Sequence, residues 1–417
     1  MQRILHRILS RLVQFGTVRV TYPGGATRTY AGRPGPEAAF RIRDWATVRR
    51  IVANTGLHFG EAYMDGGIEP QGCTIYDVLD VLLSNADAAG SANPMMALRN
   101  GLDHLGRRIR QFNPAHRARR NVAHHYDLNG RLYSLLLDRD RQYSCAYFPR
   151  GNETLDEAQA AKKRHIASKL LLDRPGLTVL DIGCGWGGMA LTLARDYGAQ
   201  VLGITLSTEQ LETARARAAA EGLADRVRFE LQDYRAVQEQ FDRIVSVGMF
   251  EHVGVVHYAT YFQAVRRCLK PDGVALIHAI GRGAGPGVTN PWLRKYIFPG
   301  GYSPALSEVL PAVEKSGLIA TDIEILRLHY AKTLRLWRAN LTARREAITA
   351  LYDERFYRMF EFYLAGCEIA FRRQDHMVWQ LQLTQLGAQT VPLTRDYMVE
   401  AERRATASAG ERVSARA

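Results

Sequence analysis

Cysteine is scarce in this sequence, and the few copies lie far apart. The five cysteines among 417 residues are odd in number, and no two of them form a Cys-X-X-Cys pair. This pattern argues against a disulfide framework and against a zinc knuckle, and we expect no metal site. It favours a protein that works in a reducing, cytoplasmic setting.

Long apolar runs are missing as well. No stretch approaches the ~20 residues that a membrane-spanning helix needs. The apolar start of the chain is interrupted by Arg7 and Arg11, which argues against a signal peptide. Acidic residues are outnumbered by basic ones, 42 to 55, which gives a formal net charge of +13. Such a charge attracts polyanions, either nucleic acid or an anionic membrane surface, and we expect a soluble or peripheral protein.

Two segments carry much of the positive charge. In residues 1–16, arginines recur every fourth residue opposite an apolar face, which predicts a basic amphipathic helix. This helix either lies on a membrane surface or packs on its own domain with solvated arginines. Residues 97–120 contain seven arginines against the single acid Asp103. This stretch either contacts a membrane or is a solvated linker.

Composition divides the chain into four parts. We expect a small N-terminal α+β domain associated with lipid or membrane (1–96), a basic linker (97–120), a catalytic domain (121–405) and a disordered tail (406–417). In the first domain, Val18–Tyr22 alternates like a strand, and Trp45–Asn54 and Thr74–Ser84 have helical patterns.

Strand and helix patterns alternate from about residue 160 to 330, which predicts a parallel α/β sheet. The predicted strands are Leu177–Ile182, Gln200–Thr205, Val227–Gln232, Phe241–Val247 and Val274–Ile280. Two more strands are expected between Leu318 and Tyr330, followed by helices over residues 334–372.

A glycine-rich turn follows the first of these strands. It reads Asp181-Ile-Gly183-Cys-Gly185-Trp-Gly187 and leads into a helix. Turns of this kind bind NAD in some enzymes. Here Asp181 would repel a pyrophosphate but can meet a cationic ligand, and the second strand ends without the acid that a dinucleotide site needs. We therefore expect S-adenosylmethionine at this turn, with Asp233-Tyr234 near the adenine. A turn without a ligand and an NAD site are the alternatives.

Eight segments in order over residues 121–383 resemble the cyclopropane-fatty-acyl-phospholipid synthase family, which includes the mycolic acid cyclopropane synthases. They are residues 122–128, 143–148, the glycine turn with its Trp186, 203–207 with Gln210, 248–254, 277–281, 298–301, and 363–367 leading to Phe371-Arg372. One departure is the order Asn129-Gly130, where the family has Gly-Asn. The first 120 residues resemble the N-terminal extension of the bacterial phospholipid enzymes less distinctively.

The resemblance implies a Rossmann-like class I methyltransferase sheet with helical additions, and a reaction. A methyl group passes from S-adenosylmethionine to a cis double bond of a phospholipid acyl chain, and a cyclopropane ring closes after proton loss to a bound bicarbonate. By matching position, the bicarbonate site is Cys145, Glu251, His278, Ile280 and Tyr363, with Cys145 and Ile280 acting through backbone groups. The cofactor contacts are Tyr143, Ser144, Gly183, Gly185, Thr205, Leu206, Gln210, Asp233 and Tyr234, to which the glycine turn adds Asp181 and Gly187.

The residue chemistry is consistent with such a site. An alkene is a poor nucleophile, so the reaction needs a dry cavity that stabilises a cation. Aromatic faces can do this, and the candidates are Tyr126, Tyr143, Tyr147 and Tyr363. Each site residue also has a purely structural interpretation: Cys145 as a small buried side chain, His278 as a core histidine, Glu251 as a helix cap, and Tyr363 as part of an aromatic core.

Other functions compete with this hypothesis. Methylation of the acyl chain without ring closure uses the same fold. A nucleic-acid methyltransferase would fit the charge, but the Asn/Asp-Pro-Pro-aromatic turn common in such enzymes is replaced here by residues 248–252. A catalytically inactive lipid-binding protein is a further alternative. We expect unsaturated phospholipids in an anionic membrane as partners and no nucleic acid. The expected location is peripheral, on the cytoplasmic inner face of the membrane, and the resemblance suggests a homodimer.

Overall fold

The computed structural model describes residues 2–86, residue 111 and residues 130–414. Within them, the chain forms two compact units. Of the described residues, the N-terminal unit contains 2–86, 287–301 and 330–376, and the large-sheet unit contains 111, 130–286, 302–329 and 377–414. Segments 287–301 and 330–376, which the sequence assigns to the catalytic domain, therefore cluster with the N-terminal residues. Tyr126, the motif at 122–128 and all of the basic stretch 97–120 except Gln111 lie outside the described residues.

The N-terminal unit is built on a four-stranded sheet of order β2-β1-β3-β4, in which β1 pairs parallel with β3 and antiparallel with β2. Its elements are α1 (Gln2–Leu12), β1 (Phe15–Thr21), β2 (Thr27–Ala31), β3 (Arg33–Ile42), α2 (Trp45–Ala53), α3 (Thr55–Met64), β4 (Ile68–Pro70), α4 (Ile75–Leu83), α10 (Pro291–Tyr296), most of α12 (Arg327–Ala343), α13 (Arg345–Leu351) and α14 (Glu354–Arg373). The predicted small α+β domain is confirmed, although its sheet holds more strands than the sequence indicates.

Helix α1 packs on its own domain through one face. Leu5 and Leu9 are buried in the core of the N-terminal unit, together with Val18 and Val20 of β1. The three arginines of the helix are exposed on the other side. The packing interpretation of the N-terminal helix is therefore confirmed, and contact of its arginine face with a membrane stays a prediction.

Two buried carboxylates contact the later segments 287–301 and 330–376 and attach them to this unit. Glu61 of α3 accepts hydrogen bonds from Lys295 Nζ at 2.6 Å and from the Tyr296 hydroxyl at 2.9 Å, both on α10. Asp80 of α4 pairs with Arg373 of α14 at 3.0 Å. Burying a carboxylate is costly unless it is paired, so these contacts fix the segments to the N-terminal residues.

The large-sheet unit contains a seven-stranded sheet of order β10-β11-β9-β8-β5-β6-β7. Its elements are α5 (Gly130–Leu136), α6 (Leu155–Lys169), β5 (Thr178–Ile182), α7 (Gly188–Tyr197), β6 (Gln200–Thr205), α8 (Thr208–Ala220), β7 (Val227–Leu231), β8 (Phe241–Val247), α9 (Tyr258–Cys268), β9 (Leu269–Arg282), α11 (Leu306–Ser316), β10 (Leu318–Ile325), β11 (His376–Gln385) and α15 (Asp396–Ser414). Neighbours from β7 to β9 are parallel, and β10 and β11 are antiparallel. The predicted Rossmann-like α/β sheet is confirmed.

Three sequence predictions need correction. The fifth strand, predicted as Val274–Ile280, runs from Leu269 to Arg282. Only one strand lies between residues 318 and 330, because its partner β11 comes some fifty residues later in the chain. The tail predicted to be disordered from residue 406 continues α15 to Ser414, in keeping with its strong helix formers alanine, glutamate and arginine.

None of the helices in the described part of the chain is long and apolar enough to cross a membrane. The five cysteines all lie in that part, and no two of them form a disulfide.

Candidate active site

The glycine turn lies at the carboxyl end of β5, the strand between β6 and β8. Gly183 has φ +82°, and a Cβ built on it would lie 2.8 Å from Met249 Cβ. Gly187 has φ +84° and is the N-cap of α7. Both positions exclude a larger residue, because the backbone adopts a left-handed conformation there and, at Gly183, a neighbour fills the space. The turn therefore presents bare backbone at the sheet edge where ligands of α/β proteins bind.

A cavity opens over this turn and brings together nearly all of the predicted cofactor contacts. Those that line it are Tyr143, Ser144, Asp181, Gly183, Gly185, Thr205, Leu206, Gln210, Asp233 and Tyr234. Gly187 is not among the lining residues. The cavity is thus bounded by the ends of β5, β6, β7 and β8, as expected for a ligand crevice in a parallel sheet.

Asp181 is a buried acid that lines this cavity. Its Oδ2 atom has no hydrogen-bond partner among the described residues. Burial raises the pKa of its carboxyl to about 7, against a smaller opposing effect of the Lys162 ammonium. A buried carboxylate oxygen without a partner is costly unless a ligand supplies a donor or a positive charge. Asp181 therefore fits the cationic cofactor inferred from its sequence position.

Side chains of α6 form hydrogen bonds that fix the segment containing Tyr143 and Ser144. Gln159 Nε2 donates to the Ser144 carbonyl at 2.9 Å. The Lys162 ammonium donates to Gln142 Oε1 at 2.5 Å and to Ser144 Oγ at 2.8 Å. Lys162 is completely buried, and burial lowers its pKa to about 8. One buried cation thus fixes two residues that line the cavity.

Glu251 follows β8 in a short 3-10 helix, Phe250–His252. Its Oε1 atom accepts the backbone N–H of Ile280 on β9 at 2.6 Å. Its Oε2 atom has no hydrogen-bond partner in the described part of the chain. Burial raises the pKa of the Glu251 carboxyl to about 7. Two predicted site residues, Glu251 and Ile280, are therefore in direct contact, with one carboxylate oxygen still able to accept a proton or a hydrogen bond.

His278 lies in β9, two residues before Ile280, and is buried. Burial lowers its pKa to about 3, and the nearby cations Lys162 and Lys169 lower it further. Its backbone carbonyl accepts the N–H of Gly248 at 2.9 Å, which ties the loop before Glu251 to β9. The imidazole is therefore neutral, and it belongs to the same corner of the sheet as Glu251.

Two further candidates lie in the segment before α6. Cys145 is buried, and its Sγ contacts the Ala146 carbonyl at 3.3 Å, so its side chain is engaged locally, as expected for a residue that acts through its backbone. Tyr147 stacks between His165, at a centroid distance of 4.1 Å, and His329, at 5.0 Å. Tyr147 therefore packs against two imidazoles, and its role in stabilising a cation stays a prediction.

Tyr363 lies on α14 in the N-terminal unit, whereas the other predicted bicarbonate ligands belong to the large-sheet unit. It is buried, with the rings of Phe298 and Phe360 at 5.5 and 5.8 Å. Its participation in the site therefore stays a prediction.

Sequence reasoning missed Lys162 and also Gln380, a buried residue of β11 next to His278. A signal for Lys162 exists: it lies four residues after Ala158 and four before Ile166, on the buried face of α6. Long polar side chains on an apolar stripe indicate a buried polar contact. Across the described residues, no group of His, Cys, Asp and Glu is arranged to hold a metal ion.

Two family models match the chain. Residues 114–381 match the family described as mycolic acid cyclopropane synthetase, and residues 4–93 match a domain of unknown function (DUF7884).

Similar proteins cover most of the sequence. The cyclopropane-fatty-acyl-phospholipid synthase of Escherichia coli (strain K12) is 41% identical over 345 residues, which is 82% of this chain and 87% of that protein. The tuberculostearic acid methyltransferase UfaA1 of Mycobacterium tuberculosis (strain ATCC 25618 / H37Rv) is 37% identical over 402 residues, 92% of this chain and 91% of the relative. The crystal structure of mycolic acid cyclopropane synthase CmaA1 complexed with SAH and CTAB superposes with a TM-score of 0.62 and 35% identity, covering 66% of this chain and all of that one.

Proposed function

The chain belongs to the mycolic acid cyclopropane synthetase family, and from this premise we propose that it converts a cis double bond of an unsaturated phospholipid acyl chain into a cyclopropane ring. As a member of the family, the chain is an S-adenosylmethionine-dependent methyltransferase. The added carbon comes from the cofactor, which supplies an electrophilic methyl group on a positively charged sulfur.

The cofactor is proposed to bind in the cavity over the glycine turn. Asp181 contributes a buried carboxylate oxygen that lacks a partner among the described residues, and it meets a positive charge of the ligand. The carboxylate of Asp233 is held by Arg235 at 2.7 and 2.8 Å, and the neighbouring Tyr234 packs edge-on against Tyr261. We propose that this ordered pair of residues, Asp233 and Tyr234, contacts the adenosine.

The proposal of ring closure is supported chiefly by one observation: Glu251 pairs with Ile280, and the neutral His278 lies on the same strand as Ile280. Ring closure requires that a proton leave the transferred methyl group in a site that excludes water. We propose that Glu251 and His278, together with Tyr363 and the backbones of Cys145 and Ile280, hold a bicarbonate that accepts this proton. The Ile280 N–H is engaged by Glu251, so Ile280 contributes its carbonyl to that site.

Lipid analysis tests the proposal. The gene is expressed in a bacterium that lacks cyclopropane lipids, and its fatty acids are examined by mass spectrometry before and after double-bond derivatisation. We expect a product one methylene heavier than the monounsaturated acid that does not react as an alkene. Glu251→Gln serves as the matched inactive variant. A product of the same mass that does react as an alkene would contradict ring closure.

A second function is methyl transfer to the acyl chain without ring closure. It is favoured by the similarity to tuberculostearic acid methyltransferase UfaA1, which spans 92% of this chain. In that case the same experiment yields a methylated alkene, after loss of a proton from the acyl chain. If a hydride donor of the host then reduces this alkene, the product is a saturated methyl-branched acid two hydrogens heavier than the cyclopropane.

We propose that the protein meets its lipid substrate at an anionic membrane surface, on the cytoplasmic side. Support comes from the exposed arginines of α1 and from Ile4, which is 47% exposed on the same helix. Each basic residue near such a surface contributes ~1 kcal/mol of binding. We also propose a homodimer, which sedimentation equilibrium of the full chain tests.

A further inference from the structure

Gln380 is buried on a strand that runs next to the one carrying His278. It lies on β11, which neighbours β9 in the sheet, and it has no solvent exposure. Along β11, Trp379, Leu381 and Leu383 belong to the main apolar cluster, whereas Gln380 and Gln382 alternate with them on the other face. Burying an amide costs free energy unless it is hydrogen-bonded. Each of these two glutamines therefore needs contacts that offset the cost of burying its amide.

Gln382 has such contacts with the elements around β11. Its Nε2 atom donates to the Lys169 carbonyl at 2.6 Å and lies 2.7 Å from the Tyr397 hydroxyl. Its Oε1 atom accepts from the Thr321 hydroxyl at 2.8 Å. Both ends of this amide are satisfied by groups that hold β11 to its neighbours, so its role is structural.

Gln380 differs from its neighbour on the same face. Its Nε2 atom lies 3.1 Å from Nδ1 of His278. Its Oε1 atom has no hydrogen-bond partner in the part of the chain that the structure describes. The amide is thus not held at both ends like that of Gln382, and its contact with the imidazole is what distinguishes it.

The direction of this hydrogen bond determines the state of the imidazole. An amide nitrogen can only donate, so Nδ1 of His278 must be the acceptor. Because His278 is neutral, it has a single ring proton, and this proton is then on Nε2. The hydrogen bond that Nδ1 accepts from Gln380 therefore makes Nε2 of His278 a hydrogen-bond donor.

We propose that Gln380 is a positioning residue that fixes His278 as the Nε2–H tautomer, so that this histidine donates a hydrogen bond in the active site and does not act as a base. The inference rests on the proposed function in one respect, the assignment of His278 to the bicarbonate site. An imidazole that donates stabilises an anion. The opposite tautomer would present a lone pair to it and repel it.

The test reads the tautomer directly in the full-length protein with ¹⁵N-labelled histidine. Long-range proton–nitrogen spectra show which ring nitrogen carries the proton, and the signals of His278 are assigned by comparison with His278→Asn. We expect a protonated Nε2 and an unprotonated Nδ1 in the wild type. A protonated Nδ1 would overturn the proposal, whether or not the chain makes cyclopropane lipids, so this failure is distinguishable from failure of the proposed function.

Variants then connect the tautomer to the reaction. In Gln380→Glu, the carboxylate accepts a hydrogen bond from Nδ1–H, so we expect the signal of Nδ1 to change to the protonated form. We also expect kcat to fall at least about tenfold, with KM for S-adenosylmethionine within about threefold, because a tenfold loss corresponds to one misdirected hydrogen bond. Gln382→Glu is the matched control and leaves the tautomer of His278 unchanged. A Gln380→Glu protein with wild-type kcat would refute the proposal, as would a Gln382→Glu protein in which the tautomer of His278 changes equally.

Discussion

The buried ammonium of Lys162 donates to Ser144 Oγ at 2.8 Å and so connects helix α6 to the wall of the proposed cofactor cavity. The same ammonium donates to Gln142 Oε1. Both acceptors lose a charged donor when Lys162 is replaced, and hydrogen bonds to charged groups are stronger than neutral ones.

Lys162→Met is expected to weaken S-adenosylmethionine binding by about tenfold or more, roughly 1.4 kcal/mol. The reason is that the segment carrying Tyr143 and Ser144 loses its fixed position. Isothermal titration calorimetry measures the effect. Arg164→Met removes a cation from the same helix without touching this contact and serves as the control. An unchanged dissociation constant in Lys162→Met would show that the contact does not shape the cavity.

The raised pKa of Asp181 predicts that cofactor binding depends on pH. Burial places the pKa of this carboxyl at about 7 in the ligand-free protein. A cationic ligand favours the ionised form, so binding releases a proton and tightens as the pH rises from 6 to 8. In Asp181→Asn we expect weaker binding and the loss of that part of the pH dependence. Calorimetry in buffers of different ionisation enthalpy counts the released proton. Equal proton release by the wild type and the variant would contradict the assignment.

Glu251→Gln is expected to stabilise the protein while it abolishes activity. The folded pKa of Glu251 is raised from 4.5 to about 7, so between these values the folded protein holds a proton that the unfolded chain has released. The wild type therefore loses stability as the pH rises through this window, by on the order of 3 kcal/mol. Glutamine does not titrate, and it can still accept the Ile280 N–H.

Thermal melting of both proteins between pH 5 and 8 measures this difference. The advantage of Glu251→Gln in Tm should be smallest at pH 5 and largest at pH 8. An advantage that is the same at every pH would mean that Glu251 is not a buried, uncompensated acid.

Glu61 is expected to be the most sensitive charged position of the N-terminal unit. Its carboxylate accepts from Arg50, His58, Lys295 and Tyr296, and these donors hold its pKa at about 2. Removing one partner of a buried ionic cluster costs about 3 kcal/mol, so Glu61→Ala should lower the free energy of unfolding by that order. Urea denaturation gives the value. The exposed pair Glu69–Arg41 provides the control, since Glu69→Ala should cost ~0.5 kcal/mol or less. Equal effects of the two substitutions would contradict this account.

The arginine face of α1 predicts salt-dependent binding to anionic vesicles. Replacing Arg3, Arg7 and Arg11 with glutamate should reduce binding to vesicles that contain phosphatidylglycerol. Binding by the wild type should fall with added salt, because exposed charges are screened within ~10 Å at 0.1 M. Vesicle co-sedimentation measures both effects. The same change at three exposed arginines elsewhere in the unit, Arg19, Arg28 and Arg33, controls for net charge. Equal losses in the two triple variants would rule out a specific role for the helix.

Sequence patterns predicted the parts of the fold that depend on neighbouring residues. The glycine turn after β5 is a continuous segment, and its chemistry is visible in Asp181 and the glycines that follow. The strands from β5 to β8 lie within one or two residues of their predicted bounds, because each is a short apolar run that ends in a turn.

Contacts between distant segments were not predictable in the same way. Strand β11 pairs with β10, although helices α12 to α14 lie between the two strands in the sequence. The alternation of apolar residues with Gln380 and Gln382 is nevertheless a strand signal that the sequence contains. The burial of Lys162 depends on a segment some twenty residues earlier in the chain. The assignment of segments 287–301 and 330–376 to the N-terminal unit depends on side chains such as Glu61, whose partners no local pattern reveals.

The central claim is that a proton leaves the transferred methyl group at the Glu251–His278 site and that a ring then closes. It is tested most directly by supplying purified enzyme with S-adenosylmethionine that carries a fully deuterated methyl group, and by measuring the deuterium in the lipid product by mass spectrometry. We predict a saturated ring whose added carbon retains two deuterium atoms, and no product from Glu251→Gln. A product that retains all three deuterium atoms, or full activity of that variant, would contradict the claim.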